Sequence, residues 1–219
     1  MPFPKPRAIL FDLDGTLADT APDLAEALNQ LRAQRGLAPT PYEQLRPVAS
    51  AGARGLIGAA FGIRPEDSAY EELRVAFLDN YAASLVVKSK LFDGIPKLLE
   101  QLEEHGIAWG IVTNKAARFT DPLVPQIGLG NAACVVSGDT TAHAKPHPAP
   151  LLEAARRLQL AAEDCWYVGD DLRDIQAGRA AGMPTVAAAW GYCGHVEPES
   201  WQADALLHDP LHLLDLFKS

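Results

Sequence analysis

Apolar residues fall in short unbroken blocks at five places along the chain: AILFDLD, AWGIVTN, ACVVSGD, CWYVGDD and PTVAAAW. None of the blocks alternates apolar with polar positions, as a strand with one wet face would. Continuous apolarity predicts strands buried on both faces, the signature of a parallel sheet. Between the blocks the period changes to that of a helix. In GIPKLLEQLEEHG, Ile95, Leu98, Leu99 and Leu102 share one face, and Gly106 ends the run. PAPLLEAARRLQL and RDIQAGRAAG follow the same pattern. Strand–helix alternation of this kind predicts an α/β architecture, a doubly wound parallel sheet flanked by helices.

One region breaks the alternation. From Pro22 to Lys88 the pattern is helical throughout, in DLAEALNQLRAQRG, AGARGLIGAAFG and AYEELRVAFLDNYAASL. Asp23 is placed to cap the first of these helices and Gly36 to end it. Leu24, Ala27, Leu28 and Leu31 fall on one face, the expected core of a separate lobe. The expected division is therefore a catalytic core of residues 1–18 and 90–219, interrupted by an all-helical cap domain of residues 19–89. The two connections are expected near Leu17-Ala18-Asp19 and Lys88-Ser89-Lys90.

Composition narrows the function classes. Of 219 residues, 48% are hydrophobic and 21% charged, ordinary for a globular protein. The formal net charge of -9 argues against general attraction to nucleic acid or to an anionic membrane surface. An acidic chain that handles an anionic substrate must build a local positive site. Cys134, Cys165 and Cys193 show no CxxC spacing and read as reduced thiols. The start, MPFPKPRAIL, lacks the apolar run of a signal peptide, and no run approaches a membrane span, so a cytoplasmic location is expected. Both a monomer and a homodimer are compatible with the pattern.

The ends of the blocks carry the chemistry. The first ends in Asp12 and Asp14, the second in Thr113 and Asn114, the fourth in Asp170 and Asp171, with Asp174 beyond; Lys145 follows the third. In an open parallel sheet, ligands sit at the carboxyl ends of the strands. Converging carboxylates repel unless a cation lies between them. An oxygen-only ligand set favours Mg²⁺, held by Asp12, Asp170 and the backbone of Asp14, with Asp171 or Asp174 contributing through water. Asp12 is the candidate nucleophile toward phosphorus, and Asp14 the candidate general acid and base. Gly15 lets the chain approach a phosphate closely. Thr113 and Asn114 are candidate donors to phosphoryl oxygens, and Lys145 neutralises charge. Asp174 reads equally as a helix cap. His143 and His147 read as loop histidines. Arg54, flanked by glycines in SAGARGLIG, is a candidate for a substrate carboxylate.

These motifs together resemble the haloacid-dehalogenase-like hydrolases. FDLDGTLADT resembles the family's DxDGT motif, IVTNK its second, Lys145 in KPHP its third and VGDDLRDIQAGRAAG its fourth, all in order along nearly the whole chain. The resemblance implies a Rossmannoid core and a magnesium-dependent phosphohydrolase acting on a small phosphorylated substrate, with Asp12 as nucleophile. TAPDL, GARGLI and LFDGIPKLLEQL are most similar to the phosphoglycolate phosphatases; SAGARGLI and LFDGIP are also similar to the bacterial N-acetylmuramic acid 6-phosphate phosphatases. A phosphosugar mutase of the β-phosphoglucomutase type is a further alternative, as is a binding protein without turnover. A dehalogenase is disfavoured because Asp14 supplies the second acid. No P-loop and no G-x-S-x-G elbow is present.

Overall fold

The first apolar block becomes the centre of the molecule. The computed structural model describes residues 5–217. Its strands, in chain order, are β1 (Ala8–Phe11), β2 (Ala18–Asp19), β3 (Lys90–Leu91), β4 (Ala108–Val112), β5 (Val135–Val136), β6 (Cys165–Gly169), β7 (Thr185–Ala188) and β8 (Ala205–Leu207). Six of them form one all-parallel sheet in the order β5-β4-β1-β6-β7-β8. β1 is buried along its whole length because both faces are covered. Ile9 and Phe11 join one apolar cluster with Trp109, Ile111, Trp166 and Val168. Ala8 and Leu10 point the other way, into a cluster with Val112, Cys165 and Tyr167. The chain runs from β1 through β4 to β5, then crosses to β6. The direction of winding thus reverses beside β1, and the carboxyl ends of β1 and β6 meet at that point.

The helices are α1 (Ala21–Gln34), α2 (Tyr42–Leu45), α3 (Gly52–Phe61), α4 (Tyr70–Ala83), α5 (Ile95–Glu104), α6 (Ala117–Gln126), α7 (Ala149–Leu158) and α8 (Leu172–Ala181). α5 buries Ile95, Leu98, Leu99 and Leu102, the face its periodicity predicts. α6 carries Pro122 and Pro125 inside it, which hid it from a pattern reading, and β8 was likewise too short to see. The three cysteines are free thiols. Among the described residues, no helix is long and apolar enough to cross a membrane.

Helices α1 to α4 pack around an apolar cluster of their own. Leu24, Ala27, Leu28 and Leu31 of α1 meet Leu45, Leu56, Ile57, Leu73, Phe77 and Tyr81, and Phe119 and Tyr192 of the sheet-bearing part close the cluster. β2 and β3, two residues each and antiparallel, hold the entry and exit of this helical segment together. Two further clasps secure the crossing. The Tyr192 hydroxyl accepts the backbone N–H groups of Thr20 and Ala21, both at 2.8 Å, and donates to Asp19. Asp23 departs from its expected role as a helix cap. α1 begins at Ala21, so the Asp23 carboxylate lies inside the first turn. It accepts instead from the backbone N–H groups of Val87, Lys88 and Ser89 and from the Ser89 hydroxyl, at 2.7–3.0 Å. One buried carboxylate therefore fastens the outgoing connection to the incoming helix.

Removing that carboxylate takes the buried acceptor away from three backbone donors of the connecting strap. Asp23→Ala is expected to cost about 2–3 kcal/mol and to lower Tm by roughly 5–10 °C. Urea denaturation and a melting curve measure both; an unchanged Tm would show that the strap holds itself.

Candidate active site

Four chain segments converge at the reversal point beside β1. Asp12 follows β1, and its N–H continues the ladder to Val168 of β6. Asp170 and Asp174 come from the end of β6 and the first turn of α8. Ligand oxygens of Asp12, Asp170 and Asp174 lie within 4.8 Å of one another, and all three side chains are buried. Lys145, 5% exposed, reaches them from the loop before α7. Its ammonium lies 2.8 Å from Asp12 and 2.8 Å from Asp174, and donates to the Tyr167 hydroxyl and the Val112 carbonyl at 2.7 and 3.0 Å.

Asp170 is the most enclosed of the acids. It accepts the Thr16 hydroxyl at 2.9 Å, the Ser50 hydroxyl at 2.9 Å and the Tyr192 N–H at 3.0 Å. Ser50 belongs to the helical segment, so that segment touches the carboxylate cluster directly. Gly15 explains how the loop fits. It adopts φ +92°, and a Cβ there would stand 2.1 Å from an Asp170 oxygen. The need for glycine is thus a close approach to the carboxylate itself, beside the site where a phosphate was expected.

Asp171 and Asp174 divide the work that the sequence left open between them. Asp171 is the N-cap of α8, accepts the Arg173 N–H, and pairs with the Arg173 guanidinium at 2.7 Å. Asp174 accepts the Asp171 N–H in return, completing a capping box, while its other oxygen faces Lys145. Asp174 is therefore both cap and cluster member, and Asp171 turns away to Arg173.

The cluster holds three carboxylates against one ammonium, and the electrostatics follow. Burial, reinforced by Asp12 and Asp174, pushes the Asp170 carboxyl well above its ordinary range. Burial raises Asp174 to about 6, against the pull of Lys145. Burial works against the charge of Lys145, but Asp12 and Asp174 outweigh it and hold that charge firmly. Oxygen donors alone, buried, over-charged and close together, fit a hard divalent cation.

A cavity of about 280 Å³ opens over this cluster. Asp12, Asp14, Thr113, Asn114, Lys115 and Arg173 line its floor; Leu24, Phe77, Leu78, Tyr81 and Phe119 form an apolar wall. Asp14 pairs with Lys115 at 2.8 Å and accepts the Thr20 hydroxyl. Thr113, at the end of β4, is buried and accepts the Lys115 N–H, which leaves its own O–H to donate. Asn114 departs from expectation. Its carboxamide spans the Lys145 backbone, accepting the N–H at 2.9 Å and donating to the carbonyl at 3.0 Å, so it positions Lys145. Arg54 departs further: GARGLI is helix α3, and Arg54 is exposed, lining a separate surface hollow with Ile63 and Arg64. The side chains at the cluster and cavity that sequence reasoning missed are Thr16, Ser50, Lys115 and Arg173. Thr16 and Lys115 stand inside the quoted motifs DGT and TNK; nothing in sequence pattern singles out Ser50.

Known proteins resemble this chain in sequence and fold. Residues 9–188 match the model of the haloacid dehalogenase-like hydrolase family. A phosphoglycolate phosphatase of Xanthomonas campestris pv. campestris is 50% identical over 210 residues, 95% of each chain. An N-acetylmuramic acid 6-phosphate phosphatase of Pseudomonas putida is 42% identical over 216 residues, 97% of this chain and 96% of that one. A haloacid dehalogenase-like family protein from Streptococcus pneumoniae superposes with a TM-score of 0.85 at 23% identity, covering 98% of this chain and 99% of that one. With four motifs, one topology and relatives matched end to end, the chain belongs to the haloacid dehalogenase-like hydrolase family.

Proposed function

We propose that this hydrolase is a Mg²⁺-dependent phosphatase that cleaves a small phosphate monoester through an aspartyl-phosphate intermediate, with 2-phosphoglycolate as the leading substrate. The observation that carries the reading is the buried Asp12–Asp170–Asp174 cluster, with a single lysine against it, beneath a cavity that Asp12 lines. Asp12, Asp170 and the Asp14 backbone would hold the cation, with Asp174 behind them, and the cation would supply charge neutralisation for a phosphoryl group.

The residues then divide the reaction. A carboxylate oxygen of Asp12 attacks phosphorus while the bond to the ester oxygen breaks, and Asp14 gives that oxygen its proton. Asp14 next takes a proton from water; the water oxygen attacks the aspartyl phosphate, releasing phosphate and restoring Asp12. Lys145 and the Thr113 hydroxyl meet charge on the phosphoryl oxygens, prepositioned before reaction begins. The helical segment acts as a cap whose closure excludes bulk water, and Ser50 and Arg173 tie it down, the latter donating to the Ser50 carbonyl at 2.8 Å.

A second substrate reading rests on the cavity. Its volume and its wall of Leu24, Phe77, Leu78 and Phe119 exceed the needs of a two-carbon acid and suit a larger one such as N-acetylmuramic acid 6-phosphate, the substrate named for the Pseudomonas putida relative. A phosphosugar mutase would use the same cluster but return the phosphoryl group to sugar, so net phosphate release separates it from this proposal.

Asp12→Asn is expected to lower phosphate release from 2-phosphoglycolate at least ~1000-fold while the fold melts normally; a colorimetric phosphate assay beside calorimetry checks this. In Asp170→Asn the amide oxygen can still accept from Ser50 and Tyr192, the Thr16 hydroxyl turns to accept from the new NH2, and one buried charge is removed. In chelator it should therefore stabilise the protein by about 0.5–2 kcal/mol, while losing the rise in Tm that Mg²⁺ gives the wild type.

The pH dependence has a definite sign. The folded value of Asp174, about 6, lies above its ordinary 3.8. Ionising it therefore costs the metal-free fold, whose stability declines as pH rises through that interval. A bound cation must displace the proton at low pH, so the Mg²⁺-induced increase in Tm should be larger at pH 8 than at pH 5. An increase independent of pH would detach the carboxylates from metal binding.

A further inference from the structure

Tyr81 of α4 is 1% exposed and lines the cavity; among the described residues its hydroxyl has no acceptor, and the polar group beside it is the Lys115 ammonium. Buried hydroxyls are seldom left without an acceptor, and one on a side chain that lines a cavity points to a ligand. Beside it stands Lys115, whose ammonium lies 4.8 Å from the Tyr81 ring centre and 2.8 Å from the Asp14 carboxylate. The two side chains come from opposite bodies, Lys115 from the loop after β4 and Tyr81 from the helical segment. The reaction described above uses neither. Asp14 also accepts the Thr20 hydroxyl, so it keeps a partner when Lys115 turns elsewhere.

We propose that Lys115 and Tyr81 form the subsite for a second acidic group of the substrate, a carboxylate borne on the carbon that carries the phosphate ester. The placement rests on the phosphatase reading. Asp14 must approach the ester oxygen within a hydrogen-bond length to protonate it, and the Lys115 ammonium already stands at that distance from the Asp14 carboxylate. A carboxylate two bonds beyond the ester oxygen then falls within about 3 Å of the ammonium. The Tyr81 hydroxyl donates to the other carboxylate oxygen and gains the acceptor it lacks. The ammonium contributes a charge-assisted bond in a largely enclosed space, and the phenol adds direction.

Arg54 was the sequence-based candidate for this task, and its exposed position on α3 leaves the task open. Arg173 also lines the cavity, but its guanidinium is engaged by Asp171 and the Ser50 carbonyl. Lys115 is the cavity cation whose only anionic partner takes part in the reaction. The subsite accordingly selects phosphorylated 2-hydroxy acids over neutral phosphate esters. It also favours them over acids whose carboxylate lies several bonds further off.

The test compares kcat/KM for 2-phosphoglycolate and for 4-nitrophenyl phosphate, which has no carboxylate, in wild type, Lys115→Met, Lys115→Arg and Tyr81→Phe. Lys115→Met should lower the ratio of acid to neutral ester about 10- to 100-fold, chiefly through KM for the acid, and Lys115→Arg should restore part of it. Tyr81→Phe keeps the ring and removes only the hydroxyl, so it serves where the lysine variant fails to fold; it should lower the same ratio about 3- to 10-fold. A readout without turnover comes from the Asp12→Asn background, where 2-phosphoglycolate should raise Tm more than ethyl phosphate does, and Lys115→Met should abolish that difference. Equal losses for both esters would overturn the subsite and confine Lys115 to holding Asp14. No phosphate release from either ester by the wild type would be a failure of the phosphatase reading itself, visible before any variant is made, and the subsite would fall with it.

Discussion

Three carboxylates packed out of water around one ammonium is an arrangement that folding alone does not favour. Asp12, Asp170 and Asp174 repel one another, and Lys145 offsets only part of that repulsion. The rest of the architecture serves to keep them there. Central strands β1 and β6 fix the two backbones side by side, and the capping box of α8 aims Asp174 inward. Gly15 lets its loop pass against Asp170 where any side chain would collide. Stability is surrendered locally, at the place where the proposed cation and phosphoryl group would bind.

The same cluster links the two apolar bodies of the molecule. Ser50 donates to Asp170 from the helical segment, Arg173 reaches back to the Ser50 carbonyl, and Tyr192 joins the Asp170 carboxylate to the incoming connection through its N–H and its hydroxyl. Asp23 fastens the outgoing connection. Whatever changes the charge on Asp170 is therefore felt at the contacts that hold the segment over the cavity. In the proposed reaction, chemistry and closure would share these hydrogen bonds, so that turnover would depend on a shut site.

Much of this was legible in the sequence because burial on both faces leaves an unmistakable pattern. AILF, AWGIV and CWYVG are strands for the reason their continuous apolarity suggests, and Asp12, Asp170 and Lys145 stand at the strand ends and loop where ligand chemistry was expected. What was illegible depends on contacts distant in sequence. Asp23 looked like a helix cap because its partners lie 64 to 66 residues away. Asn114 looked like a phosphate donor until the loop of Lys145 folded across it. AGARGLIGAAFG is helical as its pattern suggests, but α3 leaves Arg54 exposed at the surface, away from the cavity where a substrate contact was expected. α6 was masked by its prolines, although the packing of Phe119 and Leu123 against the two clusters sustains it.

In the proposed reaction Asp12 carries the phosphoryl group between substrate and water. The most direct measurement is an acid quench during turnover of 2-phosphoglycolate, followed by digestion and mass spectrometry of the peptide spanning residues 8–20. The account predicts a phosphoryl group on Asp12, present only while substrate and Mg²⁺ are both supplied. Steady phosphate release with that peptide unmodified, or with the label on another residue such as His143 or His147, would contradict it.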